Sequence, residues 1–523
     1  MKYSILLFAC FFYCSIIHSQ HVNVMISNTN DPEEPSIMIN PKNPKYIVAG
    51  ANVRSSYYSA DTGRTWNSFL IVSTTYGVYG DPMILCDTSG NFYYFHLSDP
   101  PGNPFIDRIV CQKSTTNGTT WSNGGAGIGL NGTKVQDKEW GVVDTRNNNL
   151  CISWTQFDFY GSTSPADSSH ILFSKSTDGG INWSTPVRLD QKGGDCIDDD
   201  NTVEGAVPAI GPNGETYVVW AGPDGLVFDK SLDGGNTWLA NDKILSPIPG
   251  GWSYDVTGIY RCDGLPITVC DLSNGPRRGT IYVNWTDQRN GTADTDVWLI
   301  KSTDGGNTWS SPVRVNDDPA GKQQFFTWMA IDQTNGWLYF VFYDRRNYSD
   351  NQTDVYMARS KDGGASFQNF KISQSPFAPV NTVFFGDYIN LSVHNGIIRP
   401  IWTRLDGGAL SVWTALVDTT LIPGVITGTA NPDAIVENIS SYPNPFTNNS
   451  FLSFKLRRPG AVTVQIFDIA GRLVSTPIRD KFYISGKYTE QIDISKWNLR
   501  SGTYFYRITI SGNLYTQKII RLE

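Results

Sequence analysis

The sequence predicts an all-β protein, a ring of repeated four-stranded units followed by a small C-terminal β-sandwich. Three observations carry this. Among 523 residues, charged side chains make up only 17%, while Gly (49), Trp (16), Tyr (25) and Phe (26) are abundant. Apolar stretches of strand length alternate with Gly-, Asn- and Asp-containing turns from residue 21 onward, and one turn pattern recurs six times. The composition excludes a coiled coil and a charged disordered chain. The length suits two or three domains, with a core that needs neither disulfides nor metals to hold it.

Met1 and Lys2 make a short basic start, residues 5–17 are an apolar run, and His18-Ser19-Gln20 follow. This is the pattern of a signal peptide, residues 1–20. No later apolar run approaches the ~20 residues of a spanning helix, so an exported chain without a transmembrane segment is expected. Beyond the signal stand Cys86, Cys111, Cys151, Cys196, Cys262 and Cys270. An even number in an exported chain permits disulfides. A local bridge between Cys262 and Cys270, which flank the turn 263–266, is one expectation; buried free thiols are the other.

The recurring turn reads Ser, then Asp two on, Gly two further, and an aromatic three beyond. It occurs at Ser59/Asp61/Gly63/Trp66, Ser176/Asp178/Gly180/Trp183, Ser231/Asp233/Gly235/Trp238 and Ser302/Asp304/Gly306/Trp309. Two variants are Ser114/Thr116/Gly118/Trp121, with Thr for Asp, and Ser360/Asp362/Gly364/Phe367. The carboxylate folds back onto turn N–H groups, Gly takes the positive-φ position, and the aromatic packs beneath. Around each turn a unit of four strands recurs: a first strand begins near an acidic residue, a second is apolar, a third enters the turn and a fourth leaves it. Seven second strands are legible (46–49, 91–95, 150–154, 216–220, 280–285, 337–343 and 397–402), against six turns. The seventh unit lacks a fourth strand, and 21–27 resembles the fourth strand at 312–316. Pairing 21–27 with the last unit would close the ring and leave no free sheet edge.

The turn resembles the Asp-box (bacterial neuraminidase) repeat of sialidases and other β-propellers. That resemblance implies a propeller over residues 21–417, with seven blades expected and six as the alternative. Residues 418–440, with Pro423, Gly424, Gly428 and Pro432, read as a linker. From 441 the chain has Tyr442-Pro443-Asn444-Pro445-Phe446, alternating strands, Asp468-Ile469-Ala470-Gly471-Arg472 and Gly502-Thr503-Tyr504. Residues 441–523 resemble the C-terminal sorting domain of the type IX secretion system of Bacteroidetes. The resemblance implies passage across the outer membrane through that machinery, to the cell surface or medium.

The formal net charge of −8 is unevenly spread. Residues 441–523 hold twelve Lys/Arg against five Asp/Glu, and residues 21–440 hold twenty-eight against forty-four. An acidic body disfavours nucleic acid as partner. In a propeller the fourth-to-first and second-to-third loops share one face, opposite the recurring turns. That face gathers Glu34, Asp81, Asp137, Glu139, Glu204, Asp255 and Asp387 with Arg54, Asp287, Arg289, Asp294, Asp344, Arg345, Arg346, Arg404 and Asp406. Gathered carboxylates raise one another's pKa or hold a cation.

The segments Asp287-Gln288-Arg289 to Asp294 and Asp344-Arg345-Arg346 to Asp350 resemble the sialidase stretch in which an acidic-x-Arg triplet precedes an acid/base Asp. The resemblance implies substrate contact by Arg289 or Arg346 and proton transfer by Asp294 or Asp350. It implies a Tyr nucleophile as well, for which Tyr388 beside Asp387, or Tyr254 beside Asp255, is the candidate. At the place of the sialidase Arg-Ile-Pro motif the chain has Glu34-Pro35-Ser36-Ile37. Candidate catalytic residues are therefore Asp287, Asp294, Asp344, Asp350, Asp387 and Tyr388. Candidate substrate contacts are Arg54, Arg289, Arg345, Arg346, Arg404 and Glu204. Asp198, Asp199 and Asp200 are a candidate Ca²⁺ site, and no cofactor is required. Two carboxylates suffice to hydrolyse a glycosidic bond, so the expected function is a glycoside hydrolase on extracellular glycans or glycoproteins. The alternative is a non-catalytic, adhesin-like glycan or protein binder, using Tyr57, Trp140, Trp252 and Trp328 as exposed stacking platforms. Gly127-Ile128-Gly129-Leu130-Asn131-Gly132 matches a dinucleotide motif by letter only, since no strand precedes it and no helix follows.

Overall fold

In a computed structural model of the protein the described residues are 21–102, 105–419, 422, 436–442, 444, 446–469, 472–493, 500–510 and 513–522. The expected signal segment 1–20 and most of the expected linker lie outside them. The chain divides into two compact units near residue 423.

The described residues of the first unit form seven four-stranded antiparallel sheets. Their inner strands are Ser36–Ile39, Gly80–Cys86, Val135–Asp144, Glu204–Ile210, Ile267–Cys270, Gln324–Asp332 and Asn390–His394. Each inner strand packs beside that of the next sheet, and the seventh packs beside the first. The sheets are therefore blades 1–7 of a ring. Val22–Ser27 pairs with Ala409–Leu416, so the N-terminal strand completes blade 7. The inner and second strands are buried on both faces and read as near-continuous apolar runs. The inner strand of blade 5 is short and follows a long loop, and for that reason it had no clear signal in the sequence.

The recurring turns join third and fourth strands. At Ser231 the hydroxyl donates to Asp233 Oδ1 (2.7 Å) and accepts from Gly235 N–H (2.8 Å). Asp233 Oδ1 also accepts from the N–H groups of Asn236 (3.0 Å) and Thr237 (2.9 Å). Where Thr116 replaces Asp, its hydroxyl accepts from Thr120 N–H (3.0 Å) and the turn survives. In blades 2–5 the lysine just before the turn serine ties the blade to the next. Lys113, Lys175, Lys230 and Lys301 donate to the carbonyls of Gly179, Gly234, Gly305 and Gly363 in the following blade, at 3.3, 2.7, 2.7 and 2.7 Å. Arg399 of blade 7 donates to Thr62 O (2.7 Å) in the turn of blade 1, where no such lysine is available.

Cys262 and Cys270 form no bridge; all six described cysteines are free and buried. The extended strand Ile267–Cys270 carries Cys270 away from Cys262 at about 3.3 Å per residue, and the two thiols pack in different apolar clusters.

In the second unit, one sheet contains Val436–Tyr442, Asn449–Leu456 and Gly486–Asp493. The other is ordered Leu473–Tyr483, Gly460–Asp468, Gly502–Ile510, Asn513–Arg521. Leu452, Phe454 and Ile492 of the first share a core with Val464, Ile466, Tyr506 and Ile508 of the second, the arrangement of a sandwich. Strand Val436–Tyr442 begins inside the segment expected as linker.

Candidate functional site

The inner strands begin with a repeated distortion. Glu34, Asp81, Lys138, Gly205, Phe326 and Gly386 all have positive φ, between 47° and 92°. Ladder register breaks there in blades 2, 3, 4 and 6, as at a β-bulge. Non-glycine residues seldom adopt this conformation, and its recurrence turns several neighbouring side chains toward one mouth of the ring. Gly386 is required on contact grounds too, since a Cβ there would come within 2.9 Å of Glu34 backbone.

Asp387 of blade 7 is the hub. Lys138 of blade 3 places Nζ 2.5 Å from Asp387 Oδ2 and 3.8 Å from Glu34 Oε1. Arg261, from the loop entering blade 5, donates Nε to Asp387 Oδ1 (2.8 Å) and NH2 to Oδ2. Its remaining nitrogen donates to Asp198 Oδ2 (2.8 Å), which also accepts from the Tyr160 hydroxyl (2.6 Å). Glu34 accepts from Asp387 N–H (3.0 Å) and from the Asn52 amide.

Two populations of carboxyl result. Burial alone would raise Asp387, but Lys138 and Arg261 overcome it and hold the group well below the usual range. Burial raises Glu34, Asp137, Glu139, Glu204 and Asp263 well above theirs, with added repulsion from neighbouring carboxylates. Glu33 is pushed up to about 8 by burial, then by Asp81. Of the raised group, Glu33 and Asp137 keep partial exposure, as does Asp198 beside Asp137. Below the mouth, Trp140, Trp328 and Tyr388 fill the ring, with ring centroids 4.5 and 4.9 Å from Trp140. A cavity of about 20 Å³ remains among Lys138, Asp263, Phe326 and Asp387, enough for roughly one water molecule.

Asp387, Tyr388, Glu204 and Asp198 are thus brought together. The other candidates stand apart. Asp287 is buried and paired with Arg289 (2.6 Å), and it accepts from Trp285 Nε1 (2.8 Å). Asp344 pairs with Arg346 (2.7 Å) and burial pushes it up to about 6, against the pull of Arg346. Arg404 pairs with Asp406 (2.9 Å). Arg345 donates to Thr257 O (2.7 Å) and Gln323 (3.1 Å). Asp294 accepts from Lys322 N–H (3.3 Å), Asp350 is exposed and accepts from Gln352, and Arg54 is exposed between the second and third strands of blade 1. Each acidic-x-Arg triplet closes on itself because two residues of loop bring guanidinium and carboxylate face to face.

The proposed platforms are corrected. Tyr57, Trp140, Trp252 and Trp328 are all buried: Trp140 and Trp328 stand on inner strands inside the ring, Tyr57 packs in the core of blade 1, and Trp252 donates to Thr202 O (3.1 Å) from the loop entering blade 5. Tyr254 is buried against Thr286 while Asp255 is exposed, so they form no pair. The calcium candidates diverge: Asp198 faces Arg261, Asp199 accepts from Asp200 N–H, and Asp200 accepts from Ser253 N–H. Among the described residues no three His, Cys, Asp or Glu side chains gather to hold a metal ion.

Sequence reading missed Lys138, Tyr160, Arg261 and Asp263. Lys138 occupies the blade position of Glu34 and Asp81, so alignment of the units would have exposed it. Arg261 and Tyr160 lie in long loops outside the repeat and carry no such signal.

Over 208 residues the chain is 27% identical to a xyloglucanase of a Paenibacillus species, covering 38% of this chain and 18% of that protein. It is 30% identical over 175 residues to a xyloglucanase of Acetivibrio thermocellus, covering 32% and 19%. The match spans less than a fifth of either relative's length. Similar solved structures include an α-L-arabinanase of Penicillium chrysogenum (14% identity, 76% of this chain, 98% of that one, TM-score 0.42). They also include a Trypanosoma rangeli sialidase mutant displaying trans-sialidase activity (11%, 87% and 85%, TM-score 0.40). A protein of unknown function from Dyadobacter fermentans is 12% identical, over 76% of this chain and 99% of that one, at TM-score 0.44. Among the described residues no helix is long and apolar enough to cross a membrane. Residues 440–522 match the secretion system C-terminal sorting domain family, and the chain that carries this domain is a secreted or cell-surface protein.

Proposed function

We propose that the protein is a glycoside hydrolase acting on extracellular glycans at the mouth of the blade ring. The observation that carries this reading is the pair Asp137 and Asp198. Both are partly exposed, and burial, with repulsion from Asp81, raises the pKa of Asp137 well above the usual carboxylate range. Asp198 is fixed by hydrogen bonds from Arg261 and Tyr160. A carboxyl with a raised pKa suits the general acid, and a neighbouring carboxylate fixed by hydrogen bonds suits the base.

Asp137 donates its proton to the glycosidic oxygen as the bond to the anomeric carbon breaks. Asp198 takes a proton from the water that adds there, so one glycosidic bond and one water become two hydroxyl ends. Asp387 is a positioning residue, orienting Arg261 and Lys138. The partial likeness to xyloglucanases supports a polysaccharide substrate.

The test is release of reducing ends from a panel of extracellular polysaccharides by the secreted chain. Asp137→Asn and Asp198→Asn are expected to lower turnover at least 100-fold, as loss of general acid–base catalysis does, with the melting temperature unchanged. Full activity in both variants, or no release from any polysaccharide, would overturn the reading.

A further inference from the structure

The aromatics that are exposed on the mouth face differ from those the sequence suggested. Tyr79, in the loop entering blade 2, is 45% exposed, and Phe105, between the second and third strands of blade 2, is 40% exposed. Their rings lie 5.3 Å apart, and Phe105 is 6.5 Å from Tyr160. The Tyr160 hydroxyl reaches Asp198, and Asp198 reaches Arg261. On the far side the Arg261 guanidinium lies 5.4 Å from the ring of Phe384, which packs edge-on at 5.9 Å against Tyr260, itself 61% exposed. One unbroken line of contacts therefore crosses the mouth, with the Asp198–Arg261 pair at its centre and aromatic rings on either side.

Charge decides what this line accepts. Lys138 and Arg261 are matched by Asp387 and Asp198. Arg289, Arg346 and Arg404 are each closed on a carboxylate two residues away. At the centre Arg261 is closed on Asp387 and Asp198, so it offers no free guanidinium to receive an anionic sugar.

Resting on the reading above, we infer that the strip is a binding cleft for an uncharged polysaccharide. Its sugar rings stack on Tyr79 and Phe105 to one side of Asp198 and on Tyr260 to the other. Apolar sugar faces suit aromatic rings, and an uncharged chain needs no free guanidinium to receive it.

The experiment uses the mature full chain in equilibrium binding to soluble xyloglucan, mixed-linkage β-glucan and polygalacturonate. Binding to at least one neutral glucan is expected, with polygalacturonate at least tenfold weaker. Tyr79→Ala/Phe105→Ala and Tyr260→Ala, all at exposed positions, are each expected to weaken neutral binding tenfold or more while circular dichroism is unchanged. The inference is overturned if neither glucan binds, if polygalacturonate binds as tightly, or if both variants bind like the parent. Neutral binding without turnover would instead sink the hydrolase reading and leave the cleft intact.

Discussion

Lys138 of blade 3 and Asp387 of blade 7 meet across the ring mouth, Nζ to Oδ2 at 2.5 Å, both buried. The pair joins blades that are not neighbours in the ring, and it leaves Asp387 ionised where burial alone would neutralise it. Lys138→Met would strand that carboxylate with Arg261 alone. Breaking a buried pair by removing one partner costs about 3–5 kcal/mol. Urea unfolding followed by tryptophan fluorescence should report that loss; a change under 1 kcal/mol would mean that the bridge is not structural.

Stability should fall as the solution is made alkaline. Glu34, Asp137, Glu139, Glu204 and Asp263 have raised folded-state pKa values, and Glu33 is raised to about 8. Such groups bind more protons folded than unfolded, so their contribution is complete below the unfolded value and is lost as pH rises through the folded one. Asp387 has the opposite sign, and its contribution disappears only in strong acid. The urea midpoint is therefore expected to be higher at pH 5 than at pH 8.5, and Glu33→Gln should flatten the slope. A midpoint that climbs over this range contradicts the assignment of protonated carboxyls.

Gly306 has φ of 79°, and a Cβ there would lie 2.4 Å from the Phe228 ring of the preceding blade. Gly321 has φ of 93° and no atom within 4 Å of the corresponding position. Gly306→Ala should lose about 2–3 kcal/mol from overpacking plus backbone strain, and Gly321→Ala about 1 kcal/mol from strain only. Equal losses in the two variants would show that the turn does not pack against the neighbouring blade.

The lysine ties between blades are repeated, so they offer an additivity test. Lys175→Met, Lys230→Met and Lys301→Met each remove a 2.7 Å bond to the next blade's glycine carbonyl. Each is expected to lower stability by about 1 kcal/mol, and the triple variant by about the combined amount, since the sites share no partner. A triple variant as stable as the parent would remove the ties from the account of blade docking.

All six described thiols are buried and unbridged. Ellman's reagent should find none in the folded mature chain and six after unfolding in guanidinium without reductant. Fewer than six in the unfolded chain would reveal a disulfide and restore the Cys262–Cys270 expectation.

Much of the fold was legible in the residues. The six recurring turns, five of them Ser-x-Asp-x-Gly, the apolar second strands and the odd strand at 21–27 each answer to local rules of turn chemistry or alternation. Their structure follows those rules, down to Val22–Ser27 completing the last sheet. The candidate site was legible only in part. Glu204 and Asp387 lie at inner-strand starts, where the repeat makes positions comparable. Asp287 and Asp344 have the same residue type on the same face, yet each is closed by its own arginine two residues on. Nothing local distinguishes a carboxylate facing the mouth from one facing its own loop.

By itself, then, the sequence determined the all-β class, the repeating unit, the closing strand and the sorting domain, read as 441–523 and matched at 440–522, because turns and strand alternation are set by neighbours in the chain. Only the tertiary structure decided which charges meet. Lys138 and Asp387 are separated by 249 residues, and Arg261 and Asp387 by 126. Ring closure alone brings them together, and burial in that shared space sets which carboxyls stay charged.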